Sequence, residues 1–63
     1  MPNSIQALLQ LAAKNDADAQ YELAEAYRTG TGVPVNMSEA LRWYRAAAEL
    51  GLADAQNNLG AMY

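Results

Sequence analysis

Apolar residues recur at helical spacing in four segments of the chain. These segments cover residues 4–14, 17–28, 37–50 and 53–63, and each places its apolar side chains at intervals of three and four positions. That interval is the period of an amphipathic α-helix, whereas a half-buried strand would alternate at every second residue. The pattern therefore predicts an all-α chain of four helices.

The breaks between the segments contain residues that end or cap helices. Asn15 tolerates the left-handed conformation that ends many helices, and Gly51 is the same kind of signal after the third segment. Asp16 and Asn36 stand where N-cap side chains accept backbone hydrogen bonds. Glu39 lies three residues after Asn36, and together they predict a reciprocal capping box. Four helix boundaries are thereby predicted from local chemistry alone.

The predicted inner faces combine small and bulky side chains. Small residues allow two helices to approach closely, and bulky ones fill the space that remains. We therefore expect antiparallel helical hairpins with a core formed by Ala19, Leu23, Ala40, Trp43, Tyr44, Ala47, Ala55 and Leu59.

Part of the chain repeats with an offset of 36 residues. Residues 17–27 and 53–63 share six identities in eleven positions, with the pattern Ala-Asp-Ala-Gln-x-x-Leu-x-x-x-Tyr. A period between twenty and fifty residues is typical of stacked helical units, which present surfaces to other molecules.

The repeated pattern and the residues around it resemble the Sel-one-like repeat, a relative of the tetratricopeptide repeats. The resemblance rests on Ala19, Gln20, Leu23, Tyr27, Gly30, Gly32, Val33, Pro34, Ala40, Trp43, Tyr44, Ala47, Ala48, Gly51, Ala53, Ala55, Gln56, Leu59, Gly60 and Tyr63. It implies a short right-handed α-solenoid, in which helix A, a glycine-bearing turn and helix B form each unit. The expected units are a half repeat over 5–14, a full repeat over 17–50 and a truncated half over 53–63. Proteins of this family are adaptor-like scaffolds in signalling, secretion and protein quality control.

Composition narrows the classes of function. The chain has no cysteine and no histidine, so thiolate metal sites and disulfides are excluded, and we expect no cofactor. Its net charge of −3 argues against a nucleic-acid partner, which needs a basic surface. No apolar run reaches the length of a membrane span, and the first residues lack a signal-peptide pattern. A cytoplasmic location without membrane contact is expected.

Several residues could be read as parts of a catalytic or ligand-binding site, but a structural role is favoured for each of them. Residues 30–32 contain two glycines but lack the lysine of a phosphate-binding loop, so a turn is expected. Asp18, Glu22 and Glu25 have no histidine to complete a catalytic or metal site, and a solvated helix face is favoured. The hydroxyl of Tyr44 is expected at the surface or on a backbone carbonyl. An enzyme is not expected, because related repeats associated with β-lactam chemistry carry cysteine pairs that are missing here.

Positions that differ between the two copies suggest a partner-binding face. Tyr21, Glu22 and Glu25 correspond to Asn57, Asn58 and Ala61. The resemblance implies that helix A lines the concave surface of the solenoid, where an exposed tyrosine beside polar residues suits protein binding. The predicted partner-binding residues are Tyr21, Glu22, Glu25, Asn57 and Asn58. A merely solvated face remains the alternative.

The outer helices suggest self-association. A repeat unit does not bury its own apolar face, and polar capping repeats are not evident. A homodimer is favoured, with contacts from Ile5, Leu8, Leu9, Leu59, Met62 and Tyr63, because twofold interfaces are the commonest. Since the last segment stops abruptly at Tyr63, a trimmed or engineered repeat made for assembly is a second interpretation.

Overall fold

The computed structural model describes residues 5–62, apart from the side chains of Leu59, Ala61 and Met62. This part of the chain forms four helices: α1 (Ile5–Ala13), α2 (Ala17–Thr29), α3 (Met37–Glu49) and α4 (Ala53–Met62). The predicted all-α class is confirmed, and the described boundaries lie within one residue of the prediction. The predicted start at residue 4 and the residue Tyr63 lie outside the described residues.

Each helix packs on the one that follows it, and the chain forms a flat body of 30 × 23 × 14 Å. The joints between helices are short, so neighbouring helices fold back on each other. At one turn, the backbone N–H of Asn36 before α3 donates to the Tyr27 carbonyl near the end of α2, at 2.9 Å. The result is the predicted stack of helical hairpins. The shortest extent, 14 Å, is the thickness of this layer of helices.

The core consists of two clusters of mostly small side chains. The first cluster lies between α1 and α2 and contains Leu8, Ala12, Ala19 and Leu23. The second joins α2, α3 and α4 and contains Ala24, Ala40, Tyr44, Ala47 and Ala55. Tyr27 and Trp43 pack against both clusters and connect them. Trp43 is only half-buried, while the other predicted core residues with described side chains are buried.

The predicted N-caps are confirmed, but the capping box is not closed. Asp16 accepts from the backbone N–H of residue 19 at 3.1 Å, and Asn36 accepts from that of Glu39 at 3.2 Å. The backbone N–H of Asn36 is already bonded to Tyr27, so the Glu39 carboxylate lacks its expected target. It pairs instead with Arg42 at 3.5 Å. The prediction of a reciprocal box was wrong because a tertiary hydrogen bond replaced the local one.

The two joints that lead into α2 and α4 have the same geometry, 36 residues apart. Asn15 and Gly51 are both left-handed, with φ of 64° and 94°, as predicted. The next residue in each joint donates its backbone N–H to a carbonyl of the preceding helix. Asp16 donates to Leu11 at 3.2 Å, and Leu52 donates to Ala47 at 3.1 Å. The sequence repeat is therefore a structural repeat at the level of single hydrogen bonds.

A glutamine in each copy fastens the joint. The side-chain amide of Gln20 donates to the Ala12 carbonyl at 3.0 Å, and that of Gln56 donates to the Ala48 carbonyl at 3.0 Å. Gln20 is buried, whereas Gln56 is exposed. In the sequence, the two glutamines appeared only as identical residues of the two repeat copies, and their hydrogen bonds were not predicted.

Candidate partner-binding surface

Tyr21 and Asn58 connect α2 to α4. The side-chain amide of Asn58 donates to the Tyr21 hydroxyl at 2.9 Å, and also to the Asp54 carbonyl at 2.9 Å. The Tyr21 ring meets Tyr44 of α3 edge to face, with ring centroids 5.7 Å apart. Tyr21 is therefore half-buried between three helices. The prediction of an exposed tyrosine was wrong because its ring packs against the core and its hydroxyl is hydrogen-bonded to Asn58.

Glu25 takes part in a network that crosses from α2 to α3. The Tyr44 hydroxyl, on a fully buried side chain, donates to the Glu25 carboxylate. Nε of Arg28 donates to the same carboxylate oxygen at 2.8 Å and to the Tyr44 hydroxyl oxygen at 3.1 Å. Glu25 is half-buried, which corrects the expectation of a solvated side chain, and Tyr44 bonds to a carboxylate and not to a backbone carbonyl. The network fixes Glu25 at one edge of α2.

This network changes the acidity of its members. The hydrogen bond from Arg28 holds the pKa of Glu25 below its usual value, against the opposing effect of burial. Burial, together with the Glu25 carboxylate, raises the pKa of Tyr44 to about 12. At neutral pH the carboxyl is therefore ionised and the phenol is protonated, which is the state that makes these hydrogen bonds.

Stability is expected to fall at alkaline pH because of Tyr44. A folded pKa of about 12, above the unfolded value near 10, stabilises the fold fully below pH 10, and this contribution is lost as pH rises through 12. We expect a loss of about 1 to 2 kcal/mol over that window. Urea unfolding at pH 9 to 12 measures it, with Tyr44→Phe as the control that lacks this contribution. Parallel pH curves for the two proteins would contradict the assignment.

A cavity of about 340 Å³ lies where the start of α1 meets the end of α2 and the following loop. Its walls combine apolar side chains from both helices with two carboxylates and the loop backbone. The lining residues are Ile5, Leu8, Glu22, Glu25, Ala26, Thr31 and Gly32. Two predicted partner-binding residues, Glu22 and Glu25, therefore share one cavity.

Four of the five predicted partner-binding residues are linked by contacts or by the cavity, and the fifth lies beside them. Contacts lead from Asn58 through Tyr21 and the buried Tyr44 to Glu25, and the cavity adds Glu22. Asn57 is exposed on α4 beside Asn58. Sequence reasoning missed Arg28, whose spacing of three residues from Glu25 was a usable signal for an ion pair.

The predicted self-association residues divide into three groups. Leu8 is buried and Ile5 is half-buried, and both pack in the α1–α2 cluster, so most of the Leu8 side chain is already covered within this chain. Leu9 remains exposed, with 38% of its surface accessible. The structure does not describe the side chains of Leu59 and Met62, and it does not describe Tyr63.

Neither a metal-binding cluster nor a membrane-spanning helix is found among the residues that the structure describes. Among these residues, no three acidic side chains gather into a group able to hold a metal ion. None of the four described helices has the length and apolar character needed to span a bilayer.

Similarity to known proteins agrees with this architecture. A sel1-like repeat-containing protein of Acanthamoeba polyphaga mimivirus is 37% identical over 60 residues, which are 94% of this chain and 11% of that protein. A crystal structure of a Sel1 repeat protein from Oxalobacter formigenes superposes with a TM-score of 0.90 and 41% identity, over 92% of this chain and 24% of that one. The chain thus spans only a minor part of each relative. The Sel1 repeat pattern matches residues 17–52 and 53–63, and the chain therefore belongs to the Sel1 repeat family.

Proposed function

We propose that the chain is a non-catalytic scaffold that binds a partner polypeptide along α2 and α4. Sel1 repeats generally serve as protein–protein interaction modules. The observation that supports the proposal for this chain is the hydrogen bond between Tyr21 and Asn58, because it joins α2 directly to α4. A polypeptide lying across this surface would meet Glu22 and Glu25 on α2 and Asn57 on α4.

Two side chains of the proposed surface are held by contacts within the chain. Tyr21 is held by Tyr44 and Asn58, and Glu25 is held by Arg28 and Tyr44. Binding loses less free energy to ordering when the contacting side chains already have fixed positions. Tyrosine and arginine are also enriched in protein interfaces. These features support binding and give no group a catalytic task.

Selection from a random dodecapeptide library against the folded chain tests the proposal. Binders are expected to shift the backbone amide resonances of Tyr21, Glu22 and Asn58. Asn57→Arg, which adds a bulky charge to α4, is expected to weaken the selected peptides about tenfold. Gln10→Arg adds the same charge at an exposed position of α1 and should leave affinity unchanged. Binders that map to α1, or equal losses in both variants, would refute the proposed surface.

A second proposed function is self-association through α1. Leu9 and Leu11 are exposed by 38% and 44%, and they flank the stripe of α1 that packs on α2. A second copy that covers either side would remove this apolar surface from water. Light scattering over a wide concentration range is expected to show a dimer that the double variant Leu9→Gln/Leu11→Gln dissociates. A constant mass of 6.8 kDa at all concentrations would exclude it.

A further inference from the structure

The whole net charge of the chain lies on α2 and α4. These helices contain Asp18, Glu22, Glu25 and Asp54 against a single cation, Arg28. Elsewhere the charges cancel. Helix α3 contains two glutamates and two arginines, and the joint between α1 and α2 contains Lys14 and Asp16. The two helices of the proposed binding surface thus carry the net charge of −3, which favours basic partners over acidic ones.

The cavity between α1 and α2 is apolar inside and anionic at one wall. Ile5, Leu8 and Ala26 provide the apolar lining, and Glu22 and Glu25 provide the carboxylates. Residues three apart on a helix are neighbours, so both carboxylates can approach one group. A volume of about 340 Å³ is near the lower limit for a ligand pocket, which suits one long side chain.

The carboxylates in this cavity still have acceptor capacity. The contacts from Arg28 and Tyr44 both go to Oε2 of Glu25, which leaves its Oε1 for another donor. Glu22 is exposed and forms no ion pair with any other residue in the described part of the chain. Because Arg28 occupies one side of Glu25, an incoming cation has its best position between Glu22 and Oε1 of Glu25.

We propose that this cavity is a specificity pocket for a lysine or arginine side chain of the partner polypeptide, which rests on the proposed function. The methylene stem of such a side chain packs on Ile5 and Leu8, and its charged end reaches the carboxylates. A neutral apolar side chain would partly desolvate Glu22 and Glu25 without compensation, and an acidic one would be repelled.

Blocked pentapeptides with the sequence Gly-Ser-Xaa-Ser-Gly test the proposal, with arginine, lysine, citrulline or glutamate in the centre. Citrulline has nearly the shape of arginine but no charge. Titration of the isotope-labelled chain is expected to shift the amides of Glu22, Ala26 and Gly32 with the arginine and lysine peptides only. Glu22→Gln should weaken this binding about threefold, as for an exposed ion pair. Asp18→Asn makes the same change of charge on α2 outside the cavity, and it should weaken binding less than Glu22→Gln because it reduces only the long-range attraction.

Two results would overturn the pocket. Equal amide shifts with the arginine and citrulline peptides would show that the cavity does not recognise charge. Equal losses of affinity in Glu22→Gln and Asp18→Asn would show that only the long-range electrostatic attraction of α2 is involved. Library peptides that still bind at Tyr21 and Asn58 after their basic residues are replaced would leave the scaffold function intact while removing the basic specificity. If no library peptide binds α2 or α4, the proposed function fails as well.

Discussion

Leu23→Ala is expected to lower the free energy of unfolding by about 2 to 5 kcal/mol, as is usual for a buried leucine. Leu23 is completely buried and is one of the two largest fully buried side chains among the described residues. It packs with Leu8, Ala12 and Ala19, so its removal leaves a cavity between α1 and α2. The alanines around it are too short to fill that space.

This loss is large for so small a chain. A domain of 63 residues is expected to have a total stability of roughly 3 to 9 kcal/mol. Leu23→Ala therefore removes a large part of the total, and α1 should lose its protection from hydrogen exchange first. Urea unfolding followed by helical circular dichroism measures the change. Leu50→Ala is the matched control, because Leu50 is 49% exposed and its truncation should change stability by less than about 0.5 kcal/mol. A similar loss in the two variants would contradict the proposed core.

The helices were predictable because their signals are local. Periodicity located all four segments, and Asn15, Asp16, Asn36 and Gly51 ended or capped helices as expected. The capping box at Glu39 failed for a reason outside the local sequence, since Tyr27 of the preceding helix had taken the backbone donor. Local chemistry thus predicts where a helix begins more securely than it predicts every partner of the cap.

The proposed binding surface was predicted as a group of positions, but the contacts among them were not. Tyr21 and Asn58 were both chosen because they differ between the repeat copies, yet nothing in the sequence joins residues 37 positions apart. The burial of Glu25 depends on Tyr44, which is 19 residues away and on another helix. Such contacts follow from how α2, α3 and α4 pack, and periodicity gives the faces of helices without their relative placement.

We propose that the charge pattern and the cavity act together in selecting a partner. Long-range attraction acts through the net charge on α2 and α4 and is screened by salt, whereas the fit of one side chain acts only on contact. A basic partner is therefore expected to lose association rate as salt rises while its contact at Glu22 persists. The two contributions are separable, since Asp18→Asn changes the first and Glu22→Gln changes both.

Gln20→Ala is expected to destabilise the chain by about 2 to 3 kcal/mol, from a lost buried hydrogen bond and a new cavity. The amide of Gln20 is bonded to the Ala12 carbonyl at 3.0 Å on a side chain only 3% exposed. Its Oε1 is buried without a hydrogen-bond partner among the described residues, which lowers the net value of the side chain. Ala12 also accepts from the backbone N–H of Asn15, so its carbonyl is not left without a donor.

The second copy of the repeat supplies the control for this prediction. Gln56 makes the same bond to Ala48, also at 3.0 Å, but it is exposed. Gln56→Ala should therefore cost less than about 0.5 kcal/mol, because water replaces the lost partner. Urea unfolding of the two variants compares one interaction in two environments within a single chain. Equal losses would show that the bond itself determines the effect, whereas the expected difference would show that burial of the joint between α1 and α2 gives the repeated glutamine its importance.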